Sequence, residues 1–170
     1  MEVGKTSVIS VLVENKPGVL HLIANLFRRR NFNIESITVG PTEQPEVARM
    51  TITVNEDEKT IDQVVKQVAK QIDVLKVEEL SQGGFVMREL ALVKVQVKDA
   101  KERSDIINFV EVFRGRIIDV SQDSLTIEIT GTPEKINAFL NLMKTFGILE
   151  LARTGITALA RGSKSIKIDQ

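Results

Sequence analysis

The chain has no cysteine, no tryptophan, no tyrosine and only one histidine, His21. Without cysteine there is no disulfide, no thiolate nucleophile and no thiolate metal site. One imidazole is too few for a zinc cluster. Charge of one sign is missing as well, since 23 basic residues balance 23 acidic ones. No global field therefore draws the chain to nucleic acid or to an anionic membrane. No apolar run approaches the roughly 20 residues of a membrane span, and the N-terminus carries no secretory apolar region. The expectation is a soluble, cytoplasmic protein. What is abundant is aliphatic. Of 170 residues 42% are apolar, enough for a real core in one domain or two small ones.

The most informative stretch is Glu14-Asn15-Lys16-Pro17-Gly18-Val19-Leu20. An apolar run, Val8 to Val13, leads into it, and a helix-period pattern leaves it. Leu20, Ile23, Ala24 and Phe27 are expected on the buried face of that helix, with Val19 and Leu26 at its margin. Pro17 suits a first helical turn, where its missing N–H would have had no partner. Gly18 lets a ligand approach the backbone without meeting a Cβ. The free N–H groups of that turn, with the helix dipole behind them, favour a carboxylate or phosphate. The same residues also suit an ordinary turn and cap, so local chemistry alone leaves both readings open.

The rest of the first half gives a strand over Asn33–Val39, a turn-rich connection Gly40–Pro45, and an alternating strand over Val47–Val54. Ala48, Met50, Ile52 and Val54 point one way, Arg49, Thr51 and Thr53 the other. Thr60 with Gln63 reads as a capping box. The helix it opens buries Ile61, Val64, Val65, Val68 and Ile72, and Val74–Leu80 returns as a strand. Arg28-Arg29-Arg30 close the first helix and complement its negative end. Ser81-Gln82-Gly83-Gly84 reads as a linker. The order then repeats: a strand over Leu90–Val97, and a helix capped by Asp99 and Glu102 that buries Ile106, Phe109, Val110 and Phe113. Arg114-Gly115 ends it. Strands over Ile117–Val120 and Leu125–Ile129 follow, then a helix from Thr132-Pro133 with Ile136, Phe139, Leu140 and Met143 inward. Ile148–Ala152 closes the unit, and Thr154–Gln170 reads as a short strand with a frayed end. The fold class is α+β, with tandem ferredoxin-like βαββαβ units over 1–80 and 85–170.

Asn15-Lys16-Pro17-Gly18-Val19-Leu20 at the first strand–helix turn resembles an ACT domain. Phe32-Asn33-Ile34-Glu35-Ser36-Ile37-Thr38-Val39, Arg49-Met50-Thr51, Phe113-Arg114-Gly115 and Ile117-Ile118-Asp119-Val120 bring the chain closer still. With them it resembles the small regulatory subunit of acetohydroxyacid synthase (acetolactate synthase) from about residue 7 to residue 163. The resemblance implies an ACT effector domain over 1–80 and the family's C-terminal domain over 85–170. It implies a regulator without catalytic residues, metal or cofactor of its own. Such a subunit is a homodimer through its ACT domains and binds valine, leucine or isoleucine, valine foremost, as an allosteric ligand between two of them. It activates a catalytic large subunit and confers feedback inhibition on it, and that partner carries thiamine diphosphate, FAD and Mg2+. By motif, Asn15, Pro17, Gly18, Val19 and Leu20 fall where the helix start meets the effector. Asn33 and Ile34 fall on the partner copy's side of the pocket, and Gly40 on a small-residue position after the second strand.

Elementary chemistry is consistent with that assignment. An amino acid needs an anion site, an acceptor for its ammonium and an apolar wall. Helix-start N–H groups, the amide oxygens of Asn15 or Asn33, and Val19, Leu20 and Ile34 are the right kinds of group for each. Two other functions fit the topology less well. RNA-recognition modules with the same element order stack bases on sheet aromatics and carry a basic surface. Here Phe27, Phe109, Phe113 and Phe139 have helix-core positions and the net charge is zero. A small acyl-phosphate-cleaving enzyme would place an arginine near the first loop, and no arginine precedes Asn15.

Overall fold

The computed structural model describes residues 5–80 and 84–168. The elements run β1 (Lys5–Glu14), α1 (Val19–Arg30), β2 (Ser36–Pro41), β3 (Val47–Glu56), α2 (Glu58–Val68) and β4 (Val74–Leu80). They continue with β5 (Phe85–Gln96), α3 (Ala100–Val112), β6 (Arg116–Val120), β7 (Ser124–Gly131), α4 (Pro133–Met143), β8 (Ile148–Arg153) and β9 (Thr157–Ala160). The sheet orders are β2-β3-β1-β4 and β6-β7-β5-β8, with β9 beside β5. This is the α+β, twice-repeated βαββαβ arrangement that the hydrophobic periods indicate. The contacts divide the chain into two compact units, one holding residues up to Val86 and again from Ile156, the other Met87–Gly155.

In the first unit β1 lies between β3 and β4, all antiparallel, with Ile9 opposite Ile52 and Val11 opposite both Met50 and Val77. Alternation turns Ile9, Val11, Val13, Ala48, Met50, Ile52 and Val54 toward the helices. The helices answer with Val19, Ile23, Leu26 and Phe27 from α1 and Ile61, Val64 and Val68 from α2. Phe27 meets Phe32 edge to face, ring centres 6.2 Å apart. Residues of the other sheet face are also buried, among them Val8, Ser10, Thr51 and Thr53. Their cover includes the chain's last described segment. Ile156 and Ala158 are buried, Thr38 Oγ1 donates to the Ile156 carbonyl at 2.9 Å, and Arg49 Nη2 donates to that of Ala158 at 2.9 Å. Arg161 N–H reaches Gly84 O at 2.8 Å, and Lys164 pairs with Glu78 at 2.9 Å.

These contacts correct the expected span 85–170, because the segment after Gly155 belongs with the first unit. The expected linker lies outside the described residues except for Gly84. Other departures are local. The buried stripe of α1 is turned by part of a residue step, so that Leu20 and Ala24 are exposed and Val19 and Leu26 are core. Regular pairing of β2 starts at Ser36, not Asn33, because Asn31 takes a left-handed C-cap (φ 57°) and the chain must first unwind from the helix. The cap of α2 is Asp57, three residues earlier than expected. Its Oδ1 accepts from Thr60 N–H at 2.8 Å and its Oδ2 from Thr60 Oγ1 at 2.9 Å. The helix ends at Val68, and Ile72, expected in the core, is 91% exposed on the turn that follows.

The second unit repeats the scheme. Asp99 caps α3, accepting from Glu102 N–H at 2.8 Å, while the Glu102 carboxylate accepts from Lys98 N–H at 3.0 Å. Ile106 and Val110 from α3 and Ile136, Phe139, Leu140 and Met143 from α4 fill the core against Val93, Val95, Ile127 and Ile129. Phe109 and Phe113 are only partly buried at its margin. At the end of α3 the left-handed residue is Arg114 (φ 52°), not Gly115. Gly115 answers a different need, since a Cβ there would sit 3.2 Å from Glu128 O and 3.3 Å from a Val110 methyl.

Candidate functional site

β1 ends where its backbone is tied to two neighbouring loops. Glu14 N–H donates to Asp73 O at 3.0 Å, and Asn15 N–H to Glu46 O at 2.7 Å. Asn15 Nδ2 donates to Pro45 O at 2.9 Å, which engages the amide nitrogen and leaves Oδ1 as an acceptor. Lys16 is clamped between Asp73 (2.6 Å) and Glu14 (2.5 Å). The hydrogen bonds to Asp73 and then to Glu14 push its pKa up to about 12. Sequence reading passed over this lysine, and only the tertiary position of Asp73 discloses the clamp. Two carboxylates already hold its charge, so the attraction of this loop for an anion rests on backbone groups.

Those groups are well placed. Pro17 lies one residue before the helix cap instead of in the first turn, and Gly18 is the cap. Gly18 has φ +92°, a left-handed conformation that a side chain would strain. A Cβ there would meet nothing within 4 Å, so the requirement is conformational and the space outside is open. No side chain caps α1. The N–H groups of Val19, Leu20 and His21 have no acceptor among the described residues. The other helices carry Glu58, Glu102 and Glu134 in their first turns, whereas α1 carries no acid there. Its positive end is therefore uncompensated by its own side chains. Leu20 stands beside these donors, 48% exposed, while Val19 is buried in the core.

The remaining sequence-predicted positions lie elsewhere. Asn33 and Ile34 line a recess of about 540 Å³ with Ala24, Phe27, Arg28 and Phe32. Asn33 Nδ2 donates to Glu35 Oε1 at 2.8 Å, again leaving an amide oxygen as acceptor. Gly40 sits on β2 opposite Arg49, with open space where a Cβ would be. The recess that holds Asn33 and Ile34 includes no residue of the Asn15–Leu20 loop. Among the described residues β2 pairs only with β3, which leaves its outer side as an open ladder. Among the described residues no group of three or more His, Cys, Asp or Glu could hold a metal ion. No described helix is long and apolar enough to cross a membrane. Strands β1–β4 contain no aromatic residue, which removes the stacking platform an RNA-recognition sheet needs.

Comparison with known proteins agrees across most of the chain. Residues 9–76 match the family profile described as the AHAS small subunit-like ACT domain, and residues 88–162 match the small subunit of acetolactate synthase. A protein of Methanothermobacter thermautotrophicus named probable acetolactate synthase small subunit is 55% identical over 161 residues, covering 95% of this chain and 96% of that protein. The acetolactate synthase small subunit of Mycolicibacterium smegmatis is 48% identical over 161 residues, covering 95% and 94% respectively. The crystal structure of the acetolactate synthase small subunit from Thermotoga maritima superposes with a TM-score of 0.88 at 46% identity. The match covers 94% of this chain and 99% of that one.

Proposed function

Because this chain belongs to the family of acetolactate synthase small subunits and its role is regulatory, we propose that its first unit binds a branched-chain amino acid, valine foremost. The chain carries no catalysis itself. Bound to the catalytic large subunit, it raises that subunit's activity and lets valine lower it. The observation that carries the reading is the start of α1. It has an open left-handed glycine cap, unsatisfied N–H groups on Val19, Leu20 and His21, and no acid in the first turn. An amino acid's carboxylate accepts from those N–H groups and gains from the dipole behind them. Its ammonium finds the amide oxygen of Asn15, and its side chain lies against exposed Leu20.

The second half of the pocket comes from a second copy. Pairing two first units through β2 satisfies the open ladder and brings Asn33 and Ile34 of one copy toward the Asn15 loop of the other. Gly40, on β2, keeps the backbone approachable there. A homodimer with two equivalent sites follows. The domain assignment is the same proposal seen along the chain, with effector recognition in the first unit and the family's C-terminal domain in the second.

Thermal-shift measurements against each protein amino acid test the ligand class. Ligand at about 100 times its dissociation constant stabilises by about 2.7 kcal/mol, a shift of several degrees for a domain of this size. Valine, leucine or isoleucine should give that shift, and aspartate or lysine should not. A flat response to all three aliphatic amino acids would remove the proposal.

A further inference from the structure

The sheet face of the first unit that turns away from the helices carries a cavity separate from the start of α1. Its volume is about 820 Å³, within the range of small-molecule sites. Leu12, Val47 and Arg49 bound it from the sheet, Leu159 from β9, and Ile166 and Lys167 from the segment that follows. The apolar part of this lining is aliphatic, which suits an alkyl group.

Arg49 is the unusual member. Its Nη2 donates to Ala158 O at 2.9 Å, but its buried Nε has no acceptor among the described residues. Burial pulls the guanidinium pKa down from its ordinary value, and the Glu78 carboxylate opposes that. The Nε atom is sealed from solvent, so a carboxylate in the cavity meets the guanidinium at its Nη groups, which offer a planar, charge-assisted donor set. Lys167 makes no ion pair among the described residues, whereas Lys164, also in the lining, is paired with Glu78. Glu43 lines the cavity too and is exposed. Arg49, Lys164 and Lys167 together outweigh Glu43 and Glu78 in formal charge, which leaves the cavity cationic.

We propose that this cavity is a second ligand site, for a small aliphatic carboxylate held by Arg49 and Lys167 with its alkyl group against Leu12, Val47 and Leu159. It uses no helix start and needs no second copy, so it operates independently of the amino-acid site.

Methyl NMR of the full chain, titrated with 4-methylpentanoate while valine is held saturating, tests it. Expected are shift changes at Leu12, Val47, Leu159 and Ile166. Lys167→Gln, which breaks no described contact, should weaken the probe severalfold. Arg49→Gln should weaken it by about tenfold or more, the loss of a charge-assisted bidentate contact. Arg49→Lys should rescue only part of that, because an ammonium lacks the fork. Retained shifts at Thr38 and Thr51 would show that the fold around Arg49 survives. No methyl shift at millimolar probe, shifts confined to Leu20 and Leu22, or binding unchanged in Lys167→Gln would each overturn the site. Leucine displacing the probe from the same methyls would overturn the ligand class.

Discussion

At the scale of single residues, Leu20 and Gly18 do different jobs at the start of α1. Gly18 holds φ +92°, so any side chain there is strained and a loss of response in such a variant would be ambiguous. Leu20 is half exposed in the first turn and contributes little to the core. Leu20→Asp places a carboxylate beside the uncapped N–H groups, which the helix dipole favours by about 0.3–1 kcal/mol. The melting temperature should therefore hold or rise. At about 4 Å the new charge repels an incoming carboxylate by roughly 4 kcal/mol at a near-surface dielectric. Even part of that weakens valine binding by about tenfold or more. Calorimetric titration of the variant with valine checks this. The asparagine, proline and glycine of the loop were legible in the sequence as the turn that opens the first helix. The left-handed backbone was not, because glycine permits both signs of φ and only the folded chain fixes one. Lys16 and Arg49 went unread for a related reason, since their partners are 57 and 109 residues away along the chain.

At the scale of elements, caps and edges decide what the hydrophobic period cannot. The period located the helices and strands of both βαββαβ repeats, yet it set the stripe of α1 slightly off and carried α2 on to Ile72. Both errors come from treating a capped, bounded helix as an endless one. Asp57 is what begins α2. Thr60's backbone N–H first, then its hydroxyl, hold the carboxylate below its ordinary pKa. A carboxyl depressed in the folded state contributes stability above its unfolded pKa and loses it as pH falls through the folded value. The first unit should accordingly show a downward step in melting temperature below the ordinary aspartate range. Asp57→Asn, which keeps an acceptor but does not titrate there, should flatten that step in a series of melts against pH. In the second unit Arg153 Nε donates to buried Glu89 Oε2 at 2.9 Å and Nη1 to Asn137 Oδ1 at 2.7 Å. Arg153→Ala strands the carboxylate. Arg153 is partly exposed, so the cost should fall near the low end for broken buried pairs, about 3 kcal/mol by urea unfolding.

At the scale of the molecule, the repeat of βαββαβ was legible from alternation and turn residues alone. The place of the last segment was not, because nothing in Ile156–Ala160 says which sheet it will cover. Its ties to Thr38 and Arg49 predict that a fragment ending at Val86 will be less stable than the same unit in the whole chain. Ser10, Thr51 and Thr53 lose part of their cover in that fragment. A peptide spanning residues 155–168, added in trans, should recover part of the difference in a thermal melt. The central claim, that this chain carries valine's signal to a catalytic subunit, is tested most directly by acetolactate formation. The assay follows the reconstituted pair of large and small subunits across a valine titration, with the parent chain and with Leu20→Asp. Both chains should raise the large subunit's activity, the parent pair should be inhibited as valine rises, and the Leu20→Asp pair should stay active throughout. A parent pair indifferent to valine, or a folded Leu20→Asp pair inhibited as readily as the parent, would contradict the account.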